Sequence, residues 1–502
     1  MELSPADRDQ LVRHGLDHGE VERQLHLLRH PPPRLRLLRP CTPGDGVVEL
    51  EEGRHRELLA RHAAAAAAGR LRKLVPASGA ASRMFRALQA VRNGDPTAAD
   101  REAWARVRRQ LDKLPFYPEL AACLRARGVS AAAGDAVLLD ALLGEDGLDL
   151  AHRPKGLLPF HRSDGGVLTA CEEHLVEGAA YLRDAGGRCR LHFTVAPQHR
   201  DAFRRLVECD PNRLRQRCEA VFEVGFSTQS PATDTVAITP EGELFRRDDG
   251  RLLLRPGGHG SLLRNLQALG GDVVYLKNVD NVLPAPRQGL VAYWQKLLAG
   301  HLLALEERIA AILRQLDGGG PGEAELDDAL RFVAATFGAR DADPSRHRGA
   351  AAKSAYLRRR LHRPLRVCGM VRVRGEPGGG PFWVEDEELG ASPQIVELAQ
   401  IDLRDPQQRR IVAAATHFNP VALVCALRDP LGEAYDLQRF VDRRAVFISR
   451  KSAYGRPLHA LEHPGLWNGA MARWNSVFVD VPAATFAPVK TVLDLLRPEH
   501  QP

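Results

Sequence analysis

The sequence has no apolar run long enough to cross a membrane and no paired cysteines of a metal or disulfide framework. A membrane-spanning helix needs about 20 predominantly apolar residues, and no stretch of this chain approaches that length. The 8 cysteines are scattered without a CxxC or CxxH pair, which favours buried thiols in a reducing compartment. The opening residues, MELSPADRDQ, are charged and lack the apolar centre of a signal peptide. We therefore expect a cytoplasmic protein that makes no contact with membranes.

Basic and aromatic residues are never clustered together. The net charge is +7 with a pI near 9.1, but the excess is nearly all arginine spread along the chain. Nucleic-acid-binding surfaces combine clustered basic residues with interleaved aromatics, so we predict no nucleic-acid partner. A chain of 502 residues with 26% charged and 44% hydrophobic residues predicts an ordinary globular protein of two or three lobes. The composition does not fix the oligomeric state.

Short apolar runs alternate with helical patterns from residue 71 to residue 282, which predicts an α/β fold. We expect a Rossmann-like, doubly wound, mostly parallel mixed sheet with a helical N-terminal region and a helical insertion. The predicted segments are a helical N-terminal region (1–70), an α/β half (71–316) with a helical insertion (86–150), a helical linker (317–362) and a second half (363–502). Residues 4–29 are predicted as one helix. A helix over 169–185 would expose Glu172, Glu173 and His174 on a solvated face.

The stretch from Arg255 to Val282 organises the rest of the chain. A glycine turn, Gly257 to Gly260, precedes a short helix, and Val273 to Leu276 is typical of a buried parallel strand. The strand ends in the polar residues 277–281, and ligands of open α/β sheets bind at the carboxyl ends of strands. Asp280 is therefore a candidate ligand of a divalent cation, or else a cap of the strand end.

A second candidate site follows the strand that begins at Leu71. Ser78 and Gly79 open a loop of small residues, and a helix is predicted from about Ser82. Backbone N–H groups and a helix N-terminus bind phosphate, and Arg83 could donate two hydrogen bonds to its oxygens. The alternative, a tight turn made of small residues for steric reasons, is about equally supported.

Seven segments, in order along the chain, resemble the eukaryotic-type UDP-glucose and UDP-N-acetylhexosamine pyrophosphorylases, which are sugar nucleotidyltransferases. The resemblance covers about residues 71–496. The matching segments are Ser78 to Met84 (phosphate loop), Pro154-Lys155-Gly156, Gly258-His259-Gly260, Asn278-Val279-Asp280-Asn281, Val396-Glu397-Leu398-Ala399-Gln400, Phe418-Asn419, and Pro488-Val489-Lys490 with Asp494-Leu495-Leu496. Within that class, PKGLLPFH, RPGGHG and PGLWNGAMA resemble a bacterial family defined as a domain of unknown function.

The resemblance implies a GT-A-like, nucleotide-diphospho-sugar transferase fold, with 71–316 as the nucleotide-binding half and 363–502 as the sugar-binding half that completes the catalytic domain. It implies the formation of a nucleotide sugar from an NTP, with UTP favoured, and a sugar 1-phosphate. It also implies Mg²⁺ as the cofactor and pyrophosphate as the second product. The implied residues are Arg83, Lys155 and Lys490 for catalysis; Ser78, Gly79, Gln229, Gly257, Gly258, His259 and Gly260 for the nucleotide; Glu397 and Asn419 for the sugar; and Asp280 for the metal. His259 is expected to orient its turn rather than act as a base. Asp480 is either a second metal ligand or a surface carboxylate.

Two departures from the family keep other functions open. Ala80 and Ala81 replace residues that are usually glycine or small and polar, and residues 86–150 separate the phosphate loop from the Pro-Lys element. A GT-A-like glycosyltransferase and a non-catalytic protein that senses nucleotides or nucleotide sugars are the alternatives. Residues 86–150 are expected to lie beside the nucleotide cleft. The sequence does not specify the sugar or the base.

Overall fold

The computed structural model describes residues 3–130, 132–163, 166–373, 379–386 and 390–502. The chain divides into two compact units, and each is built from separate stretches. The first unit comprises residues 1–62, 229–275 and 297–481, and the second comprises 63–228, 276–296 and 482–502.

The helices of the described residues are, in chain order, α1 Pro5–His14, α2 His18–Arg29, α3 His55–Ala67, α4 Arg86–Arg92, α5 Ala98–Arg109, α6 Tyr117–Ala126, α7 Asp135–Leu143, α8 Ala170–Leu182, α9 Arg200–Glu208, α10 Pro211–Cys218, α11 Leu262–Leu269, α12 Gln288–Asp317, α13 Glu323–Phe337, α14 Gly349–Leu361 and α15 Pro406–Ala413.

The strands are β1 Leu37–Pro40, β2 Thr42–Pro43, β3 Gly46–Val48, β4 Leu71–Pro76, β5 Pro159–Ser163, β6 Gly166–Thr169, β7 Arg188–Thr194, β8 Val221–Ser227, β9 Thr235–Ile238, β10 Leu254–Arg255, β11 Val273–Lys277, β12 Leu365–Arg372, β13 Gly380–Asp386, β14 Gly390–Val396, β15 His417–Ala426, β16 Phe447–Ala453, β17 Arg456–Glu462 and β18 Asn475–Asp480.

Parallel pairs predominate among the strands of the central sheet. In the first unit β2, β3, β18 and β12 are neighbours in that order and pair in parallel, and β15 joins β12 antiparallel. In the second unit β4, β7 and β8 pair in parallel. The chain is therefore mixed α/β with a large, mostly parallel central sheet, which confirms the predicted fold class.

Two smaller sheets complete the first unit. Strands β1, β13 and β14 form one, and β10, β9, β17 and β16 form the other. Helices α1 and α2 cover the second of these sheets, with Leu11, Leu25, Val236 and Leu461 in the shared apolar core. Burial of these side chains holds the N-terminal helices in place. The second unit adds the hairpin of β5 and β6.

The runs predicted as strands at Leu71 and Val273 are strands, and the apolar runs at Arg190, Val221 and Val477 are strands as well. The single helix predicted over 4–29 is wrong. Gly15 adopts φ 83° and ends α1, and α2 starts after the N-cap Asp17. A left-handed residue cannot continue an α-helix, and glycine takes that conformation at no steric cost.

The segment 86–150 is helical, as predicted, since α4 to α7 lie within it. Helix α5 packs against the 3₁₀ turn Val492–Leu496, which follows Lys490 in the chain. This contact lies within the second unit. None of the helices in the described stretches is long and apolar enough to span a bilayer.

Candidate active site

Asp280 lies between two lysines just beyond the end of β11. The Lys155 ammonium donates to Asp280 Oδ2 at 2.9 Å, and the Lys490 ammonium lies 3.2 Å from the same oxygen. Side-chain exposure is 11% for Asp280 and 13% for Lys155 but 60% for Lys490. Three segments far apart in sequence thus bring one carboxylate and two cations together in the second unit.

Backbone hydrogen bonds hold these segments in register. Val489 N–H donates to the Asp280 carbonyl at 2.9 Å, and Lys155 donates to the Val489 carbonyl at 2.9 Å. Asn281 forms an isolated antiparallel bridge with Pro488. The Lys490 N–H donates to Asp494 at 2.9 Å, which fixes the backbone that carries the exposed ammonium.

The two ammoniums keep Asp280 ionised. Burial raises the pKa of this carboxyl, but Lys490 and Lys155 outweigh burial, so the pKa lies below its ordinary value. With one carboxylate and two ammoniums, the cluster carries a net charge of about +1. Such a cluster at a strand end can receive the oxygens of a phosphate chain.

The phosphate loop reaches Lys155 through its backbone. Lys155 N–H donates to the Gly79 carbonyl at 3.2 Å, Ala81 N–H donates to the Arg153 carbonyl at 3.0 Å, and Ala80 bridges Pro154. Ser78 is half-buried, and Arg83 is exposed. A Cβ added at Gly79 would meet nothing within 4 Å, so open space lies beside this loop.

The helix predicted from about Ser82 is wrong. Residues Ala81–Arg83 form a 3₁₀ turn, and the N-cap position Ala80 has no side chain that could accept the first N–H groups. The α-helix α4 begins at Arg86 instead. Phosphate binding at this loop would therefore depend on loop N–H groups and on Arg83 rather than on a helix dipole.

A second cluster lies in the first unit, around His259. Leu466 N–H donates to His259 Nδ1 at 3.0 Å, so Nε2 carries the ring proton, and Nε2 lies 3.4 Å from Glu397 Oε1. The imidazole stacks on Trp467 with ring centroids 4.2 Å apart. His259 thus uses Nδ1 to link its turn to the segment at Leu466, and the orienting role towards a nucleotide stays a prediction.

The glycines of this turn are required by close packing. Gly258 has φ 75°, and a Cβ there would lie 2.7 Å from a Glu462 carboxylate oxygen. A Cβ at Gly260 would lie 2.2 Å from the Pro464 carbonyl, and one at Gly257 would meet the His463 ring at 2.4 Å. Contact of Gly257, Gly258 and Gly260 with a nucleotide stays a prediction.

Asn419 lies next to a strained residue. Val421 has φ 58°, which a β-branched residue rarely adopts, and its N–H donates to Asn419 Oδ1 at 3.0 Å. Strain of this kind clusters at functional sites. The bond engages the amide oxygen of Asn419. Gln229 lies half-buried in the loop after β8.

The solvated helix face predicted for Glu172, Glu173 and His174 is wrong. All three are buried, with exposures of 5%, 1% and 0%, because this face of α8 pairs with polar groups from other elements. Glu173 bonds His161 Nδ1 at 3.0 Å and accepts from Gln288 at 2.9 Å.

His161 also bonds His500, with 2.8 Å between Nε2 and Nδ1. These hydrogen bonds, from Glu173 through His161 to His500, therefore link the segment 482–502 to the rest of the second unit. This segment carries Lys490. Sequence reasoning missed these partners, because a helical pattern does not reveal what packs against its polar face.

Among the described residues, Asp280 is the only carboxylate that pairs with the ammonium groups of the two lysines, and no group of three metal-ligating side chains occurs there. Mg²⁺ commonly binds through one or two carboxylates plus substrate phosphates, so a single Asp280 fits a metal brought in with a nucleotide. Asp480, in the first unit, is instead paired with Arg372 at 3.1 Å and with His417 at 3.3 Å.

A domain of unknown function, DUF4301, matches residues 4–501. The chain belongs to the DUF4301 family. This membership confirms the family suggested by PKGLLPFH, RPGGHG and PGLWNGAMA. Among curated proteins, none matches the chain.

Solved structures of UDP-sugar pyrophosphorylases are similar in fold. The UDP-N-acetylglucosamine pyrophosphorylase from Trypanosoma brucei, in complex with an inhibitor, has a TM-score of 0.51 at 14% identity over 98% of this chain and 79% of that chain. A UDP-glucose pyrophosphorylase variant from Leishmania major, in complex with UDP-glucose, has a TM-score of 0.45 at 13% identity over 99% and 79%. The first of these two similarities shows that the chain shares the UDP-sugar pyrophosphorylase fold at low sequence identity.

Proposed function

We propose that this protein is a sugar-1-phosphate nucleotidyltransferase that uses UTP. The observation that carries the proposal is the Lys155–Asp280–Lys490 cluster at the carboxyl end of β11. Two ammoniums beside one carboxylate suit a reaction in which a phosphate chain binds and pyrophosphate leaves. The shared fold supports the proposal.

The chemistry needs charge neutralisation and alignment more than proton transfer. A phosphate oxygen of the sugar 1-phosphate forms a bond to the α-phosphorus of UTP, and the bond from that phosphorus to the bridging oxygen breaks. Pyrophosphate leaves with the bonding electrons. The attacking oxygen is already ionised, so no general base is required. Lys155 and Lys490 would neutralise the charge that develops on the phosphates.

Arg83 and the loop from Ser78 would hold the triphosphate, with Arg83 donating to its oxygens. Mg²⁺, held by Asp280 and the phosphates, would supply further charge neutralisation. In the first unit, His259 holds its turn, and Glu397 and Asn419 would bond sugar hydroxyls. Gln229 would contact the edge of the base.

The test is a screen for pyrophosphate release over the common NTPs and a set of sugar 1-phosphates with Mg²⁺. Turnover with UTP and at least one sugar 1-phosphate is expected. Consumption of a nucleotide sugar without pyrophosphate would instead indicate a glycosyltransferase. A nucleotide that raises the melting temperature while no pair turns over would indicate a sensor.

Lys490→Ala is expected to lower kcat by about 10²-fold, the scale seen when one group that stabilises transition-state charge is lost. Nucleotide affinity should change much less, because Arg83, Lys155 and the loop remain. Rate and affinity are measured separately in this variant. Lys113→Ala is the matched control, since Lys113 is an exposed lysine of the same unit. A normal rate in Lys490→Ala contradicts the assignment.

A further inference from the structure

Helix α8 carries a buried charged cluster that the proposed reaction does not use. Glu177 on this helix accepts from Lys73 of β4 at 3.0 Å and from Lys277 of β11 at 2.5 Å. The side-chain exposures of Lys73, Glu177 and Lys277 are 0%, 0% and 3%. We call these three residues the buried lysine cluster.

The buried lysine cluster carries one positive charge that no carboxylate within it balances. Two ammoniums share a single carboxylate, so its net charge is about +1 when all three groups are ionised. The Tyr181 hydroxyl also donates to Glu177 at 3.0 Å, and Lys73 donates to the His174 carbonyl at 3.2 Å. Burial opposes ionisation of Glu177, but Lys277 and Lys73 hold its pKa well below its usual value. An unmatched buried charge is costly.

The cluster is linked to the proposed site through β11, α8 and β4. Lys277 is the last residue of β11, three residues before Asp280. His174 on α8 donates from Nε2 to the Val279 carbonyl at 3.1 Å, which links the helix to the same loop. Lys73 belongs to β4, which leads directly into the phosphate loop.

We propose that the buried lysine cluster supplies a fixed positive charge that strengthens polyphosphate binding at the Asp280 strand end. The proposal rests on the proposed function of that site. Lys155, Lys490 and Asp280 together carry a net charge of about +1, and the buried lysine cluster adds about one further positive charge. A buried charge is screened by water and salt much less than an exposed one. It therefore acts on a bound anion from behind the strand ends without touching it.

The charge of the cluster depends on pH through Lys73. Burial, with a smaller effect of Lys277, lowers the pKa of Lys73 to about 8. The titratable groups that face it are Glu177, His174, Tyr181 and Cys171 on α8 and Lys277 on β11; its pairing partner on β7 is Leu191. Burial and Lys73 keep the His174 ring neutral, because its pKa is far below the ordinary value. Above about pH 8 the cluster becomes neutral.

The experiment measures the affinity of inorganic tripolyphosphate by calorimetry, without Mg²⁺, at pH 7 and at pH 9.5. Lys73→Met keeps a long apolar side chain and leaves the Lys277–Glu177 pair balanced. At pH 7 it should bind about 10-fold more weakly than the wild type, and the difference should vanish at pH 9.5. Titration of the probe itself affects both proteins equally. Lys113→Met is the matched surface control and should bind as the wild type does.

Equal affinity at pH 7, or a gap that persists at pH 9.5, overturns the proposal. If circular dichroism shows that Lys73→Met does not fold, Lys277→Met is compared with the wild type at pH 7 instead. Lys277→Met also removes one positive charge and leaves the Lys73–Glu177 pair balanced. A wild-type chain that binds no tripolyphosphate overturns both this proposal and the proposed function. Absence of turnover with normal tripolyphosphate binding and the expected pH-dependent gap overturns the proposed function alone.

Discussion

Asp280→Asn is expected to lower kcat by about 10²-fold to 10³-fold while the fold stays intact. Asparagine keeps the size of the side chain and part of its hydrogen bonding but removes the negative charge. That charge now holds the ammoniums of Lys155 at 2.9 Å and of Lys490 at 3.2 Å. The variant therefore loses the group that orients both lysines, which is also the only carboxylate in the described part of the chain that contacts both ammoniums and could bind Mg²⁺ beside them.

The measurement is turnover in the pyrophosphate-release assay over a series of Mg²⁺ concentrations. A metal ligand lost at Asp280 should raise the Mg²⁺ concentration needed for half-maximal rate, whereas misplaced lysines alone should not. Asp112→Asn, an exposed acid of the same unit, is the control. The melting temperature is measured alongside, because Lys155, 13% exposed, loses its carboxylate partner, whereas Lys490 is 60% exposed and can turn to water. Full activity of Asp280→Asn with Mg²⁺ would contradict the assignment of Asp280 as a metal ligand.

The strands of the central sheet and the order of the site segments were predictable, because both depend on local patterns. Val273 to Leu276 is an apolar β-branched run, and such a run fits a buried parallel strand wherever it packs. Asn278 to Asn281 follow it at the carboxyl end, where the topology of α/β sheets places ligands. The proximity of Asp280, Lys155 and Lys490 came from the resemblance and not from any local pattern.

The predicted helix boundaries were wrong where the backbone conformation or capping ability of a single residue sets the end of the helix. Gly15 divides the first predicted helix, and Ala80 offers no cap to start one at Ser82. Spacing of apolar residues indicates a helix but carries little information on where it ends. The prediction that Glu172, Glu173 and His174 are exposed was wrong for a different reason. Their partners come from distant parts of the chain, and no local pattern reveals them.

The lysines of β4 and β11 show the same limit. In LRKLV and VVYLK most of the other residues are apolar, and a strand was correctly predicted at each run. Nothing within either run indicates that its lysine reaches a glutamate on α8. Only the pairing of strand and helix shows that Lys73 and Lys277 share Glu177.

Glu177→Gln is expected to lower the free energy of unfolding by about 3–5 kcal/mol, the range seen when one partner of a buried ion pair is removed. Glutamine keeps the shape of the side chain but leaves two buried ammoniums with no counter-ion. Urea unfolding followed by circular dichroism measures the effect. Because the pKa of Glu177 is lowered in the folded state, its stabilising contribution is present above the ordinary glutamate pKa and is lost at lower pH.

Glu173→Gln is the matched control, since it makes the same change four residues earlier on the same buried helix. Burial raises the pKa of Glu173 to about 8, so this carboxyl is mostly neutral at pH 7, and glutamine resembles it. The substitution should cost less than about 1 kcal/mol there.

A raised carboxyl pKa means that ionisation opposes folding, so the wild type should lose stability relative to Glu173→Gln between about pH 5 and pH 8. Equal losses of stability in Glu177→Gln and Glu173→Gln at pH 7 would show that the lysines do not need Glu177 as a counter-ion. Burial raises the pKa of both glutamates, and the opposite signs arise because only Glu177 has two ammoniums beside it that outweigh burial.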